Sequence, residues 1–474
     1  MNVLLVNTNR VKPPIAPLGL DYLADALVQE RHQVTVLDLC FHENVELAIR
    51  QTLRNFEPQV IGLTIRNTDD CYFTGGAFFL PDISKVVQLL RESCDVPIIL
   101  GGVGLSVAPE AILEFVGADI AVVGSGEDSF LLFLQALADG VDPGTVPNLV
   151  IRRGNSFKRT EVRIFDNECT RYRSRALVDN VRYFREGGQA GFETKRGCDR
   201  TCIYCADPVA KGKRIRLRPP HLVVSEIESL LARGIDCFHT CDSEFNIPAE
   251  HAKDVCREII RKGIGDTIRW YAYCSVVPFD REMAELLKRA GCVGIDFGVD
   301  SGVPDVLANL RREHSIEDIE QTARLCREQG IRFMFDLLLG GPGENRETIR
   351  ATIELMRKIS PDCVGTAMGV RVYEGTGMAQ LVRSLPRETA QLSLHGAVED
   401  NPQFLKPVFY ISPALGSHIV DYVCEIVGDD PRFFLPSTET SGKNYNYNEN
   451  TVLVEAIRHG ARGAYWDILR ALRR

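Results

Sequence analysis

The first 140 residues alternate between short apolar runs and segments in which apolar residues recur at helical spacing. The runs predict buried strands at residues 3–6, 34–37, 60–65, 97–100 and 120–123. The segments between them predict helices at residues 18–27, 45–56, 83–91, 108–116 and 129–138. Near-continuous apolar strands that alternate with helices are typical of a parallel sheet covered on both faces. We therefore predict a flavodoxin-like, doubly wound α/β domain over residues 1–142.

The same alternation returns further along the chain. Strands are expected at residues 190–194, 237–240, 268–273, 293–299, 332–339 and 363–370. Helices are expected at residues 222–232, 249–261, 281–289, 316–328 and 346–358. A complete eight-unit barrel needs about 250 residues, so the shorter stretch over residues 189–372 predicts a partial (β/α)6 barrel.

The remaining stretches have weaker patterns. Residues 143–188 are rich in arginine and predict a linker that contains a short hairpin near residues 149–163. Residues 373–474 predict a mostly helical C-terminal subdomain that covers the open barrel and ends in one amphipathic helix over residues 452–472. Before that helix, Tyr445 and Tyr447 are candidate catalytic residues that line a substrate pocket, with a surface loop as the alternative.

Composition narrows the class of protein. A net charge of -9 argues against a nucleic-acid binder. Fifteen cysteines, an odd number scattered through a long chain, favour a reducing cytoplasm over a disulfide framework. The N-terminus lacks the features of a signal peptide, and no apolar run approaches the roughly 20 residues that span a bilayer. We expect a cytoplasmic protein that contacts neither membrane nor nucleic acid.

Glycine and polar residues follow the predicted strands of the first domain. Because the carboxyl ends of parallel strands meet at one rim, these residues predict a ligand site there. Each turn taken alone is as well explained by a tight turn, and no dinucleotide fingerprint follows the first strand. The candidate ligand-binding residues on this rim are Asn7, Arg66, Asn67, Gly101, Gly102, Gly124, Gly126 and Glu127.

Three cysteines follow the first strand of the second domain in the pattern C-x3-C-x2-C. Cys198, Cys202 and Cys205 lie on one short polar loop, where their thiolates can converge on an inorganic centre. Structural zinc normally takes four protein ligands, and no fourth ligand follows at the usual spacing. An iron–sulfur cluster held by three cysteines keeps one iron open. Three buried free thiols are the alternative.

Polar residues also follow the later barrel strands, where barrel enzymes place their chemistry. Turns and helix caps would also use such residue types. Their occurrence on the face that carries the cysteines favours a binding site. The candidates are Asp242, Glu244, Asn246, Ser275, Asp300, Ser301 and Gly341.

Residues 190–370 resemble the radical S-adenosylmethionine (SAM) enzymes. The resemblance rests on Cys198-x3-Cys202-x2-Cys205, with the aromatic Tyr204 before the last cysteine. It implies that the cysteines bind a [4Fe-4S] cluster whose open iron chelates SAM. It further implies cofactor-binding roles for Tyr204 and the strand-end candidates. The usual Gly-Gly-Glu after the second strand is absent, which leaves the roles of Asp242 to Asn246 open.

The first domain resembles the cobalamin-binding domain that precedes the barrel in one subgroup of that family. The match covers Leu18 and Gly19, the pair Gly101 and Gly102, and the turn from Gly124 to Glu127. The motif Asp-x-His-x-x-Gly is absent, so histidine ligation of cobalt is not supported, and a degenerate domain without cofactor is the alternative. In this picture Arg66 lies near the lower corrin face and disfavours a water ligand. The alternative role for Arg66 is an ion pair with Asp69 or Asp70.

The resemblance implies a cobalamin-dependent radical SAM methyltransferase. It would move a methyl group from SAM, through methylcobalamin, to a carbon of a small-molecule or natural-product substrate. An external one-electron reductant such as flavodoxin or ferredoxin is implied as a partner. Non-methylating chemistry, such as ring formation or rearrangement, and polar methyl transfer through Co(I) without hydrogen abstraction stay open. The loop from Cys198 to Cys205 should then face the rim of the first domain, so that cluster, SAM and cobalt border one cavity.

Overall fold

The computed structural model describes residues 1–165, 169–171, 173–436, 442 and 444–473. Its first domain alternates strands with helices. The strands β1 to β5 span Asn2–Asn7, Gln33–Asp38, Val60–Thr64, Ile98–Gly101 and Ile120–Val122. The helices α1 to α6 span Leu18–Gln29, Val45–Phe56, Leu80–Ser93, Val103–Val107, Pro109–Val116 and Glu127–Ala138.

Strands β1 to β5 pair in parallel in the order β2-β1-β3-β4-β5, as the flavodoxin-like prediction requires. Strands β1 and β3 lie at the centre, where Val3 faces Val34 on one side and Val60 on the other. Their apolar side chains are buried because helices cover both faces of the sheet.

A hairpin extends this sheet. Strands β6 (Leu149–Arg153) and β7 (Ser156–Arg159) form it, and β6 pairs antiparallel with β5. The hairpin lies where the sequence predicted one, and it packs with the first domain. Helix α7 (Asn180–Gly187) then leads into the barrel.

The second domain is a partial barrel of parallel strands. Strands β8 and β11 to β15 span Ala190–Phe192, Cys237–Thr240, Arg269–Ser275, Cys292–Asp300, Arg332–Leu339 and Cys363–Met368. Two short strands between β8 and β11, β9 (Lys195–Arg196) and β10 (Arg216–Leu217), pair with each other. The helices α8 to α14 span Asp207–Ala210, Pro220–Leu231, Ala249–Arg261, Arg281–Arg289, Pro304–Leu310, Ile316–Gln329 and Arg346–Ile359.

Within the described ranges the barrel sheet has the order β8-β11-β12-β13-β14-β15-β19, and all its pairs are parallel. Its last strand, β19 (Phe433–Phe434), comes from the C-terminal region. Helices α9 to α11, α13 and α14 bury their apolar faces against these strands in one continuous core. The predicted fold class, a doubly wound domain followed by a partial (β/α)6 barrel, is confirmed.

The C-terminal region is mostly helical and also contributes strands. Its helices α15 to α19 span Gly377–Ser384, Arg387–Ser393, Ile419–Val427, Thr451–Arg458 and Tyr465–Leu472. Strand β16 (Val370–Arg371) pairs with β18 (Val408–Tyr410), which also pairs with β17 (Leu394–Gly396). The prediction of one closing helix over residues 452–472 is wrong. Gly460 and Gly463 adopt φ of 98° and 145°, a backbone conformation that ends α18 and turns the chain into α19.

A buried ionic cluster joins the two main domains. Arg175 donates to Asp21 of α1 and to Glu226 of α9, the latter at 2.7 Å. The Tyr22 hydroxyl also donates to Glu226, at 3.0 Å, and Arg218 pairs with the same carboxylate at 2.8 Å. These groups are buried, so moving one of them away would leave its partner as an uncompensated buried charge, which is strongly unfavourable. The cluster therefore sets how the first domain sits against the barrel.

Among the described residues, every helix is too short or too polar to cross a membrane.

Candidate functional site

The cysteine loop, residues 195–207, runs from β9 to α8 and is held by backbone hydrogen bonds. The Cys198 N–H donates to Gly212 O at 3.1 Å, and the Ile203 N–H donates to Leu310 O at 3.2 Å. Gly197 has φ of 88°, and a Cβ there would collide with the backbone of Arg214. This glycine therefore lets the chain turn tightly into Cys198.

The three thiols line one cavity of about 170 Å³ at the carboxyl ends of the barrel strands. In the described part of the chain, no group of three or more Cys, His, Asp or Glu side chains is close enough to hold a single metal ion. A [4Fe-4S] cluster suits this arrangement better than zinc, because each of its three cysteines binds a different iron. Burial raises the pKa of each thiol, so the thiolates need a cationic centre to form.

Arg312, which was not a candidate from the sequence, also lines this cavity. Its Nη1 donates to Cys202 Sγ at 3.1 Å, and its Nε lies 3.1 Å from Asp300 Oδ2. Glu244 lies 3.5 Å away from the same guanidinium. Arg312 lies two residues after α12, beside Arg311, and nothing in the sequence distinguishes the two arginines.

The candidates after β11 divide into one open carboxylate and two structural side chains. Glu244 lines the cavity, and its Oε2 is buried with no hydrogen-bond partner in the described residues. Asp242 accepts from the backbone N–H of Thr194 at 2.8 Å and from that of Lys195 at 3.2 Å. The Asn246 side chain donates to Ser275 O and accepts from the Ser275 N–H. Glu244 is thus free to meet a ligand, whereas the other two fix the ends of β8 and β12.

The candidates after β13 and β14 are also of two kinds. The Tyr204 hydroxyl donates to Asp300 Oδ2 at 2.6 Å, which ties the cysteine loop to the end of β13. Ser301 is buried, with its hydroxyl 3.3 Å from that of Thr352, and the Gly341 N–H donates to Glu344 Oε2 at 2.8 Å. Tyr204 therefore lines the cavity, Asp300 holds Tyr204 and Arg312 from behind it, and the turns around Ser301 and Gly341 support it.

The rim of the first domain offers backbone that a ligand can approach. A Cβ at Gly101 or at Gly19 would meet no atom within 4 Å, so both positions face open space. Gly102 has φ of 108°, and a Cβ there would collide with the carbonyl of Ile65. Gly124 has φ of 79°. This glycine cradle fits a large flat ligand such as a corrin, as the resemblance implies.

Other rim candidates have protein partners instead. Asn7 is buried and donates to Asp38 Oδ1 at 2.8 Å. Glu127 is 2% exposed and accepts from two nitrogens of Arg196, at 2.7 and 2.8 Å. Burial opposes ionisation of Glu127, yet the guanidinium groups of Arg196 and Arg173 hold its pKa at about 2. Leu18, Asn67 and Gly126 lie on the same rim, half-buried, and their contact with a cofactor stays a prediction.

Arg66 lies two residues after β3 and near Tyr273 of the barrel. Within the described ranges its guanidinium forms no salt bridge or hydrogen bond, and Asp69 pairs instead with Arg371 at 2.9 Å. Asp70 accepts from Asn446 at 3.3 Å. Burial among uncharged neighbours, including Tyr273 and Tyr465, lowers the pKa of Arg66. The alternative that Arg66 pairs with Asp69 or Asp70 is therefore wrong.

The tyrosines of the C-terminal segment reach into the barrel. The Tyr445 hydroxyl donates to Asp336 Oδ1 at 3.1 Å. The Tyr447 ring packs at a tilt of 38° against the Tyr445 ring, with the centroids 6.0 Å apart. Asp336 of β14 lines the same cavity as the cysteines and lies close to Asp296 of the neighbouring strand β13. Neither aspartate was identified from the sequence. A single acidic residue inside an otherwise apolar strand was the signal that could have found each of them.

The two strand-end rims face each other. Tyr72 of the first domain donates to Asn444 Oδ1 at 2.9 Å, and the Cys71 thiol lies 2.8 Å from the Tyr373 hydroxyl. Helix α4 packs against α8, which directly follows the cysteine loop. The predicted juxtaposition of the cysteine loop with the first-domain rim is present in the structure.

Comparison with known proteins identifies both halves of the chain. The B12 binding domain family matches residues 4–134, and the radical SAM superfamily matches residues 192–356. Tryptophan 2-C-methyltransferase from Streptomyces laurentii is 31% identical, over 98% of this chain and 95% of its own. The chain covers that relative almost completely.

Solved structures give the same result. The radical SAM methyltransferase TsrM from Kitasatospora setae, with tryptophan and the SAM analogue aza-SAM bound, superposes with a TM-score of 0.92 at 31% identity, covering 99% of this chain and 97% of that one. The same enzyme with cobalamin and a [4Fe-4S] cluster bound gives a TM-score of 0.89 at 29% identity, with the same coverage. The chain therefore belongs to the cobalamin-dependent radical SAM methyltransferases, the family that its cysteine loop and first domain predicted.

Proposed function

We propose that this protein transfers a methyl group from SAM, by way of cobalamin, to a carbon of L-tryptophan. The observation that supports the proposal is the contact between the two rims, next to the cavity that contains the three cysteines, Tyr273 and Asp336. The near-complete match to tryptophan 2-C-methyltransferase supports the choice of substrate.

The cysteine cavity is the proposed site of the cluster and of SAM. Cys198, Cys202 and Cys205 would hold the cluster. Arg312 offers a guanidinium to the SAM carboxylate, and Glu244 offers a carboxylate with a free oxygen to the ammonium group or to the open iron. Asp300, held by Tyr204 and Arg312, fixes the guanidinium in place.

The rim of the first domain is the proposed site of cobalamin. Gly101 and Gly124 would let the backbone approach the corrin closely, and Gly102 lets the chain pass close to Ile65 beside them. Arg66 would lie below it, where an unpaired cation without a hydrogen-bond acceptor repels a positively charged metal and excludes a water ligand. When bound, the cluster and the cobalamin supply the electron and the methyl carrier for the reaction.

The substrate would lie between the two cofactors. Tyr273, Tyr445, Tyr447 and Tyr465 form a wall that runs from Asp336 towards Arg66. Aromatic side chains bind a flat indole ring by stacking and by edge contacts, and they exclude water from the reacting carbon.

An external one-electron reductant, such as flavodoxin or ferredoxin, would act on the cluster. We also infer that the protein works in a reducing cytoplasm, because its cysteines are all free and an iron–sulfur cluster is its proposed cofactor.

Cofactor content tests the proposal. The protein is purified anaerobically from cells supplied with iron and cobalamin, and its metals are analysed together with its ultraviolet–visible spectrum. About four irons and one cobalt per chain support the proposal. Iron without cobalt would contradict it and would favour a degenerate first domain.

A further inference from the structure

Two aspartates from neighbouring strands lie together inside the barrel. Asp296 of β13 and Asp336 of β14 lie close together on paired strands, where Asp296 faces Met334 and Asp336 faces Gly298, and Asp296 is 1% exposed. Asp336 lines the cavity that contains the cysteines. Asp296 Oδ1 is buried and has no hydrogen-bond partner in the part of the chain that the structure describes. Buried polar atoms normally have a hydrogen-bond partner, so Asp296 Oδ1 is an acceptor that a ligand could use.

The pair also lacks a counter-charge. Across the described residues, neither aspartate forms a salt bridge, and the charged group that acts on Asp336 beyond its partner is another carboxylate, Asp300. Burial raises the pKa of Asp336 to about 6, and it raises the pKa of Asp296 well above the ordinary value. Near neutral pH the pair thus carries a negative charge that the surrounding protein leaves unbalanced. A buried charge of this kind is costly unless a ligand supplies a cation.

The groups around the pair suit an ammonium ion. Tyr445 donates to Asp336 at 3.1 Å, and Tyr447 and Tyr273 lie near both carboxylates. Tyr273 is 44% exposed within the open site. The faces of tyrosine rings attract cations, and carboxylates accept N–H donors, so the two kinds of group bind an ammonium together.

Gly365 of β15 makes room for this arrangement. A Cβ at this position would collide with Asp336 and with the Tyr445 ring. The absence of a side chain at Gly365 therefore lets the C-terminal segment bring Tyr445 onto the acidic pair.

We infer that Asp296, Asp336 and Tyr445 form the subsite that binds the α-ammonium group of an amino-acid substrate. The inference rests on the proposed function, and it specifies which end of L-tryptophan lies inside the barrel. Holding the ammonium on β13 and β14 would direct the indole ring outward, along the tyrosine wall and towards the rim of the first domain.

A comparison of two ligands in two proteins tests the subsite. L-Tryptophan and indole-3-propionate, which lacks the amino group, are titrated by calorimetry into the anaerobic holoenzyme and into its Asp336→Asn variant. We expect the wild type to prefer tryptophan by about tenfold or more, as loss of a charged partner implies. The variant should lose this preference by binding tryptophan more weakly while its affinity for indole-3-propionate is unchanged. Asp305→Asn, at an exposed position of α12, is the matched control.

The outcomes separate the subsite from the proposed function. If the wild type methylates tryptophan but Asp336→Asn affects both ligands equally, the subsite is overturned and the proposed function stands. If tryptophan neither binds nor is methylated, the substrate proposal fails and the subsite fails with it. If the Asp336→Asn variant loses iron or cobalt, the same two-ligand titration is made with Tyr445→Phe instead. This substitution removes one hydroxyl and keeps both carboxylates, and it must selectively weaken tryptophan for the inference to hold.

Discussion

Arg312 Nη1 donates to Sγ of Cys202 across 3.1 Å, which places a fixed cation beside a thiol that would bind the cluster. Hydrogen bonds to the sulfurs are one means by which a protein sets the potential of an iron–sulfur cluster.

Replacing Arg312 with Gln should make the cluster harder to reduce, because a positive charge next to the reduced cluster is lost. Methyl transfer should fall on the order of 10- to 100-fold, as for other outer-shell partners of metal ligands. A redox titration followed by electron paramagnetic resonance measures the potential. Arg311→Gln changes an exposed neighbour of the same type and should leave the potential unaltered. An unchanged potential in Arg312→Gln would show that the bond to Cys202 does not persist in the holoenzyme.

The two inorganic cofactors should be separable by mutation. Changing Cys198, Cys202 and Cys205 together to Ala should abolish iron binding, because the cluster loses all its protein ligands. Cobalt should be retained, since the glycine cradle belongs to a different sheet with its own core. Metal analysis of the purified variant checks this. Joint loss of iron and cobalt would mean that the two sites do not belong to separate domains.

Arg66 should control the lower face of the cobalamin. With Arg66→Ala, water can reach the metal, so the absorption spectrum of the bound cofactor should change and turnover should fall by about tenfold. Arg66→Lys keeps the charge and should be less affected, and Arg54→Ala, an exposed position in α2, serves as the control. Unchanged spectra and turnover in Arg66→Ala would remove this role.

Glu127 should stabilise the domain interface in a pH-dependent way. Its pKa is about 2 in the folded protein, below the ordinary value of 4.5. A lowered carboxyl pKa contributes stability that is fully present above pH 4.5 and is lost as the pH falls towards 2. The difference corresponds to about 3 kcal/mol.

Thermal unfolding of wild type and Glu127→Gln, followed from neutral to acidic pH, measures this contribution. The variant should be least stable relative to wild type near pH 7, because Arg196 then lacks its buried partner. The difference in stability between wild type and variant should become smaller below about pH 4.5. If the stability difference did not change with pH, the loss of stability in the variant would come from packing and not from the Glu127 charge.

Regular elements were predictable because their apolar periodicity is local. Helices α2, α10 and α11 and strands β11 and β14 begin and end at the predicted residues. The break between α18 and α19 was missed because the apolar pattern continues across it, while Gly460 and Gly463 turn the backbone. Strand β19 has two residues and exists only through its pairing with β15, so no local pattern could indicate it.

The site was predictable where a motif carries the chemistry. The cysteine spacing located the cavity and the family. Arg312, Asp296 and Asp336 were missed, because their importance depends on which strands become neighbours. Asp242 and Asn246 were correctly placed after β11, yet their side chains bond the backbone of neighbouring strands. Position in a strand-end turn does not by itself separate such supports from ligand-binding groups.

Methyl transfer to carbon is the central claim, and its most direct test uses SAM with a carbon-13 label in the methyl group. The holoenzyme, loaded anaerobically with iron–sulfur cluster and cobalamin, is incubated with labelled SAM, L-tryptophan and a one-electron reductant. The product is then examined by nuclear magnetic resonance. We predict one labelled methyl group attached to a ring carbon of tryptophan. SAM consumption that leaves tryptophan without labelled methyl carbon would contradict the account.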